Sequence, residues 1–402
     1  MVGLGLDEIL SEAEVSVQSV VLSVVLVILI IYQFLGISIL CDEKLCPALE
    51  SLCAKLKITE AMAGATLLAF GSSAPELIIG ACGAFTHQTA LSIPTILVSA
   101  LIAFAAIPAF VVWAVGNMVL RPSELIRDAL CYLLALLFLM AFIIHPVFQY
   151  WKSLILTLGY AVYVFYIWLQ SRSVESKAVA SVENGEYAKL EEELERVVAE
   201  EDAGGDEENE HKPLWYVILT WPFDMLFHFT VPATWPTAAF VICVAWLALL
   251  SESSLYCCVI FCRRLQFSEA AAGMTLLAFG GQVPDTIAAV ELARNGHPDC
   301  ALAQAVASQV INITLGVGLP FLIRSLVYGE PVVLGTGWAN LTISITLLIS
   351  IALYLCVVSP CLCAKKAGDG RSIVVGKMQG ITLAACFLIL YPVSVIVVEL
   401  GF

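Results

Sequence analysis

One stretch of seventeen residues in this chain recurs as a close copy. Residues 60–76 and 269–285 align without a gap at a separation of 209, and 11 of the 17 positions are identical, among them Gly64 and Gly273, Thr66 and Thr275, Gly71 and Gly280, Pro75 and Pro284. Each copy sits in a stretch apolar enough to lie in lipid. Yet the centre of the first reads Gly71-Ser72-Ser73-Ala74-Pro75-Glu76, two helix breakers and two hydroxyls leading to a carboxylate. The second ends the same way, with Pro284 followed by Asp285. A charge at bilayer depth costs ~2.5–3.5 kcal/mol on insertion scales, so two acids in matched positions call for a use. Beyond the repeat the same offset pairs Ser99 with Ser308 and Ala103 with Asn312.

Interrupted hydrophobic segments in corresponding positions of two halves point to the binding site of a secondary transporter. Proline removes an amide donor and glycine loosens the helix, so a break is expected at each copy. Such a break leaves carbonyls and hydroxyls free to replace the water around a cation. A kink that only helps helices to pack explains one copy, but not an acid directly after the proline in both.

Composition sets the class. Of 402 residues 60% are hydrophobic and 13% charged, with a mean hydropathy of +0.93. Runs of roughly 18–26 apolar residues recur, each enough to cross a core ~30 Å thick. The expectation is an all-α polytopic membrane protein of about ten transmembrane helices, arranged as two inverted five-helix repeats with broken helices at the centre. The lipid bilayer is its surroundings, and nothing basic enough for nucleic acid is present. The 14 cysteines mostly fall within spans and show no metal-ligand spacing, which reads as small core residues.

Taken in order, residues 1–15 carry four acids and no base, unlike a secretory signal. Spans are expected at 15–40, 59–85, 91–118, 128–145 and 152–169, which places the first half at 1–170 with its repeat at 59–118. Residues 171–212 hold 14 acidic against 5 basic residues and read as a solvated linker, 171–213, with some helix at 187–201 and disorder elsewhere. A regulatory ion or protein bound by this acidic segment is the alternative. Against it, no looped D-x-D-x-D-G pattern occurs. The second half, 214–402, opens with an apolar stretch at 214–232 containing Pro222, Asp224 and His228, expected to be interfacial or re-entrant. Spans follow at 237–261, 267–294, 300–326, 338–358 and 373–400, with the second repeat at 267–326. Five spans per half invert one half relative to the other. With the N-terminus outside, 15 of the 19 basic residues fall on cytoplasmic segments, so the positive-inside rule selects that orientation.

These residues resemble the cation/calcium exchanger superfamily, the sodium/calcium exchangers and their potassium-dependent relatives. The resemblance is carried by GATLLAFGSSAPEL (64–77), GMTLLAFGGQVPDT (273–286) and SQVINITLGVGLP (308–320), and extends to PLWYVILTWPFDMLFHFTVP (213–232). It implies that Glu76 and Asp285 bind the transported ion, helped by Ser72, Ser73, Ser99 and, in the second copy, Ser308, Gln309 and Asn312. The chain departs from the pattern at three places. Gly281 and Gln282 replace the second hydroxyl pair, with Gln282 offering an amide oxygen. Ala103 stands where a polar ligand is expected. Asn312 stands where potassium-dependent members carry Asp.

The chemistry is consistent with that set: Ca²⁺ takes six to eight oxygens at ~2.3–2.6 Å, and two carboxylates balance either one Ca²⁺ or two Na⁺. The expected function is an antiporter exchanging Ca²⁺ for Na⁺, independent of K⁺, in the plasma membrane or an internal membrane. The ions are cargo, so no resident cofactor is expected. A proton-coupled exchanger and a non-transporting sensor or scaffold are the alternatives. No enzyme is implied, since an intramembrane aspartyl protease needs a G-x-G-D context that is absent.

Overall fold

The computed structural model of the chain describes residues 2–56, 69–120, 122–145, 147–183, 214–232, 235–294, 296, 298–334, 337–358, 365–366 and 373–400. These are helical almost throughout. The first half holds α1 (Val2–Leu40), which continues through a π-helical turn (Cys41–Leu45) into α2 (Cys46–Leu56), then α3 (Ala69–Ser72) and α4 (Ala74–Phe85). Next come α5 (Thr89–Leu101), a π turn (Ile102–Ala106), α6 (Ile107–Val115), α7 (Pro122–Ile143) and α8 (Tyr150–Glu183). The second half holds α9 (Leu214–Thr230), α10 (Pro236–Leu265), α11 (Glu269–Ala272), a π turn (Gly273–Leu277) and α12 (Ala278–Arg294). It ends with α13 (Pro298–Ile311), a π turn (Asn312–Val317), α14 (Gly318–Tyr328), α15 (Gly337–Val358) and α16 (Lys377–Leu400).

Among the described residues, eight helical stretches are long and apolar enough to cross a membrane, the two best buried being Thr89–Val115 and Ala301–Tyr328. The chain is an integral, multi-pass membrane protein. The two expected spans outside those eight are the first arms of the repeats. One is described only from Ala69 onward. The other is helical from Glu269 to Arg294 but carries Asp285, Glu291 and Arg294.

Two small sheets show how the halves are oriented. β1 (Met118–Leu120) pairs antiparallel with β5 (Ile373–Val375), which also pairs with β4 (Lys365–Lys366). β2 (Val147–Phe148) pairs with β3 (Val332–Val333). The loop after the third span therefore joins the loop after the ninth, and the loop after the fourth joins the loop after the eighth. Halves of equal orientation would put the third and eighth loops on one face instead, so the halves are inverted. At the β2–β3 corner Lys152 is buried. Its Nζ donates to the carbonyls of Phe142 (3.1 Å) and Val147 (3.0 Å) and lies 5.8 Å from the Phe148 ring centroid.

The repeats pack crosswise. α4 lies against the π turn 312–317, and the π turn 273–277 lies against α5. Small residues permit this approach, the usual device where helices meet without a hydrophobic drive. A Cβ at Gly80 would stand 2.3 Å from the Gly316 carbonyl oxygen, and one at Gly273 would stand 2.4 Å from that of Leu91. The Thr95 hydroxyl donates to the Gly273 carbonyl at 3.2 Å, tying the first repeat's second arm to the second repeat's first.

Two hydrophobic cores flank this crossing. α1, α2 and α10 build one, with Ile30, Leu40, Leu247 and Cys258 inside it. α5–α7, α13, α15 and α16 build most of the other, around Phe104, Tyr132, Phe321 and Tyr354. Across the first core the Gln33 amide donates to Ser253 (2.6 Å) and accepts from Ser254 (2.8 Å), which locks α1 to α10.

Four expectations change. The break in the first copy is a single residue, Ser73, between α3 and α4, whereas the second copy runs helical across residues 280–285. A proline costs its helix one hydrogen bond, here to the carbonyl four residues back (Gly71 or Gly280), without forcing the chain to turn. The larger irregularities are π turns in the second arms, at matched places after Ser99 and Ser308. Each precedes a proline, Pro108 or Pro320, whose missing N–H cannot make the α-helical bond to the carbonyl four residues back. Residues 171–183 extend α8 rather than starting the linker, while the helix expected at 187–201 lies outside the described residues. Ile373–Val375 is strand, not helix: these β-branched residues find a ladder in β1, and helix begins only after Gly376. Finally, α9 is one helix through Pro222, laid on α1 with Phe223 against Tyr32.

Candidate functional site

Glu76 is the first-copy acid, on the first turn of α4 and only 2% exposed. Its Oε1 accepts from Gln282 Nε2 at 2.8 Å, so the partner of the first acid comes from the second repeat. Gly281 faces the same oxygen: a Cβ there would stand 3.3 Å from Glu76 Oε1. Asp285 lies one turn further along α12, on the same side as Gly281 and Gln282, within electrostatic reach of Glu76. It is half-buried and lines a small cavity, about 30 Å³, with Gln304, Ala305 and Ser308.

A second group of polar side chains adjoins this pair. Ser73 donates to the Ser308 carbonyl at 3.3 Å, and Gln309 Nε2 donates to the Ser308 hydroxyl at 3.2 Å. Gln309 Oε1 then accepts from Ser99 (3.2 Å) and from Asn312 Nδ2 (3.3 Å). Every member of this chain is buried. The structure thus brings together Glu76, Ser73, Ser99, Gln282, Ser308, Gln309 and Asn312, with Asp285 facing Ser308 across the cavity. The side chain of Ser72 lies outside the described set.

Two atoms stand out chemically. Gln282 Oε1 and Asn312 Oδ1 are buried and accept no hydrogen bond. An unpaired buried carbonyl oxygen costs ~1–3 kcal/mol, and a desolvated cation is what such an oxygen can coordinate. Two carboxylates, two unpaired amide oxygens and serine hydroxyls are all oxygen donors, the kind that suits hard cations rather than soft metals. Ala103, by contrast, is buried in its π turn with no polar atom to offer.

One residue that sequence reasoning passed over walls this site. The Phe34 ring of α1 packs against Gly280, where a Cβ would come within 2.3 Å of it, and reaches Gly281. Nothing in the apolar run of α1 distinguishes Phe34 from its neighbours.

A buried Glu76, a half-buried Asp285 and unpaired oxygens where two inverted repeats cross, inside a many-helix membrane chain, define a membrane transporter of cations. The chain belongs to the sodium/calcium exchanger protein family, whose pattern matches residues 24–169 and 235–398, a family of transporters and not of enzymes. It is 25% identical over 352 residues to human sodium/potassium/calcium exchanger 5, covering 74% of this chain and 70% of that protein. With human sodium/potassium/calcium exchanger 3 it shares 36% identity over 135 residues, 33% of this chain and 21% of the relative. Among solved structures, native YfkE superposes with a TM-score of 0.56 at 14% identity, over 94% of this chain and 92% of YfkE. The H⁺/Ca²⁺ exchanger CAX superposes with a TM-score of 0.55 at 10% identity, over 94% of this chain and 86% of CAX. Likeness at that identity is a likeness of fold.

Proposed function

We propose that this protein exchanges Ca²⁺ for Na⁺ across its membrane by alternating access and that K⁺ takes no part. The observation that carries the reading is Glu76 of one repeat held by Gln282 of the inverted one, with Asp285 one turn further along the same helix and two buried amide oxygens left unpaired. Glu76 and Asp285 balance one Ca²⁺ or two Na⁺, and Gln282, Asn312, Ser99, Ser308 and the freed carbonyls complete the shell. Gln309 and Ser73 orient that shell through their hydrogen bonds. Exchange follows from electrostatics. A loaded site is close to neutral and crosses, whereas the empty site holds two uncompensated charges and is trapped on one face. The two separate hydrophobic cores, meeting at the repeats, supply bodies that can shift against each other with the site between them.

Independence from K⁺ rests on Asn312. A third carboxylate there would balance a further monovalent cation, and an amide does not. At an effective dielectric of 20, one charge at ~4 Å is worth roughly 4 kcal/mol. The names of the relatives, sodium/potassium/calcium exchangers, favour the opposite expectation and make this the point to test. A proton-driven cycle is the second reading, favoured by the loss of side-chain oxygens at Ala103 and Gly281. The experiment is Ca²⁺ uptake into vesicles holding the purified protein, driven in turn by Na⁺, K⁺ and H⁺ gradients. Uptake driven by Na⁺ alone, undiminished when K⁺ is replaced by a large organic cation, is the expected result. Uptake that needs K⁺, or that follows only H⁺, overturns it.

A further inference from the structure

Between α6, α12 and α16 lies a groove of about 520 Å³ that the ion site does not account for. Small residues on two of its walls, Ala106 and Ala109 on one and Gly380 and Ala384 on the other, hollow it out, and Phe110, Phe387 and Leu388 line its flanks. Its only polar residues are Gln282 and Thr286 at the inner wall and Lys377 at one end. Thr286 spends its hydroxyl on the Gln282 carbonyl at 2.7 Å, so the groove has almost nothing with which to bind a polar metabolite. An apolar chain fits it.

The length matches one leaflet. From Lys377 to Leu388, α16 advances roughly 16 Å, about half of a ~30 Å hydrocarbon core. Trp113, 81% exposed, stands at the Lys377 end, where an indole marks the level of the headgroups. That end is also basic. Lys377 is exposed at the N-terminus of a helix of 24 residues. A lysine ammonium beside a helix N-terminus is complementary to the phosphate of a headgroup of net negative charge.

We infer that this groove is a binding site for an anionic phospholipid, one acyl chain lying between α6, α12 and α16 and the headgroup held at Lys377. The inner end of the chain rests against Gln282, the residue that holds Glu76, so the lipid packs directly behind the cation chamber.

The test needs no transport and so stands apart from the exchanger reading. The full chain is placed in phosphatidylcholine vesicles containing a trace of phosphatidylserine, or of phosphatidylcholine, with a photoreactive diazirine in one acyl chain, and the labelled peptides are mapped by mass spectrometry. Label on residues 102–115, 278–294 and 377–400 is expected to be about fivefold greater from phosphatidylserine. Lys377→Glu, an exposed substitution, should abolish the preference while leaving the phosphatidylcholine background. Ala384→Trp should plug the groove and remove label from these peptides with both lipids. Equal labelling by the two lipids, as at any lipid-facing surface, or a preference that survives Lys377→Glu, overturns the inference.

Discussion

The two repeats began from one pattern and have diverged where it matters for ions. The first copy has a one-residue break at Ser73, an acid held by a partner, and Ala103 in its π turn. The second is helical across its Gly-Gly-Gln-Val-Pro segment, its Asp285 borders a cavity, and Asn312 opens its π turn with an unpaired oxygen. Shared features are those that backbone geometry needs: the glycines and prolines, the small residues at crossings, the π turns after Ser99 and Ser308. Divergent features are the side chains of the candidate site. On the proposed reading, symmetry lets the fold present one site to either face, and asymmetry sets which ions that site accepts.

Removing either acid should have the largest effect. Glu76→Ala or Asp285→Ala is expected to abolish Ca²⁺ flux, since losing one charge at ~4 Å costs roughly 4 kcal/mol, about a thousandfold in affinity. Expression and insertion should be unchanged, and normal flux in the Glu76 variant would reject it as a ligand. Next in size, Asn312→Asp should make flux depend on K⁺ where the parent ignores it. That is measured as the ratio of uptake with K⁺ to uptake with an organic cation.

Gln282→Ala sharpens the comparison further, because it removes both an unpaired oxygen and the donor to Glu76. A hydrogen bond to a charged group contributes ~1.5–3 kcal/mol, so Ca²⁺ should bind about ten- to a hundredfold more weakly. A half-saturation concentration close to the parent's would assign Gln282 to packing instead. Gly281→Ser restores to the second copy the hydroxyl it lacks, with its Cβ 3.3 Å from Glu76 Oε1. It should improve apparent Na⁺ affinity a few-fold, and a loss of Na⁺ drive would show the space to be needed empty. Deleting residues 184–210 should change transport least, since 14 acids over 171–212 leave little apolar surface to bury. Complete loss of flux at normal surface expression would make the linker part of the machinery.

The membrane class and the inversion of the halves were legible in the sequence, as were most of the polar side chains that the structure gathers near Glu76, and the helix irregularities were legible only in part. Pro75 and Pro284 announce a missing hydrogen bond, but a proline-bearing helix either breaks, as at Ser73, or continues, as at 280–285, according to what packs around it. The limits of α8 and α16 were misjudged for a similar reason. Residues 171–183 are polar enough to read as linker yet prolong a helix already formed, and Ile373–Val375 are apolar enough to read as span yet find a strand partner in β1.

By itself the sequence determined that the chain crosses a membrane repeatedly, that it carries one motif twice, and that each copy places an acid after a proline. Those properties depend on residue type and on spacing along a single segment, which the covalent chain records directly. Only the tertiary structure decided that Gln282 holds Glu76 across 206 residues and that Ser73 is spent on the carbonyl of Ser308. It alone set the Phe34 ring against Gly280, and opened a groove behind Gln282. Each depends on where helices from different halves cross, to within a fraction of an ångström. That placement is set by the close packing of residues such as Gly80 on Gly316, and no periodicity along one segment encodes it.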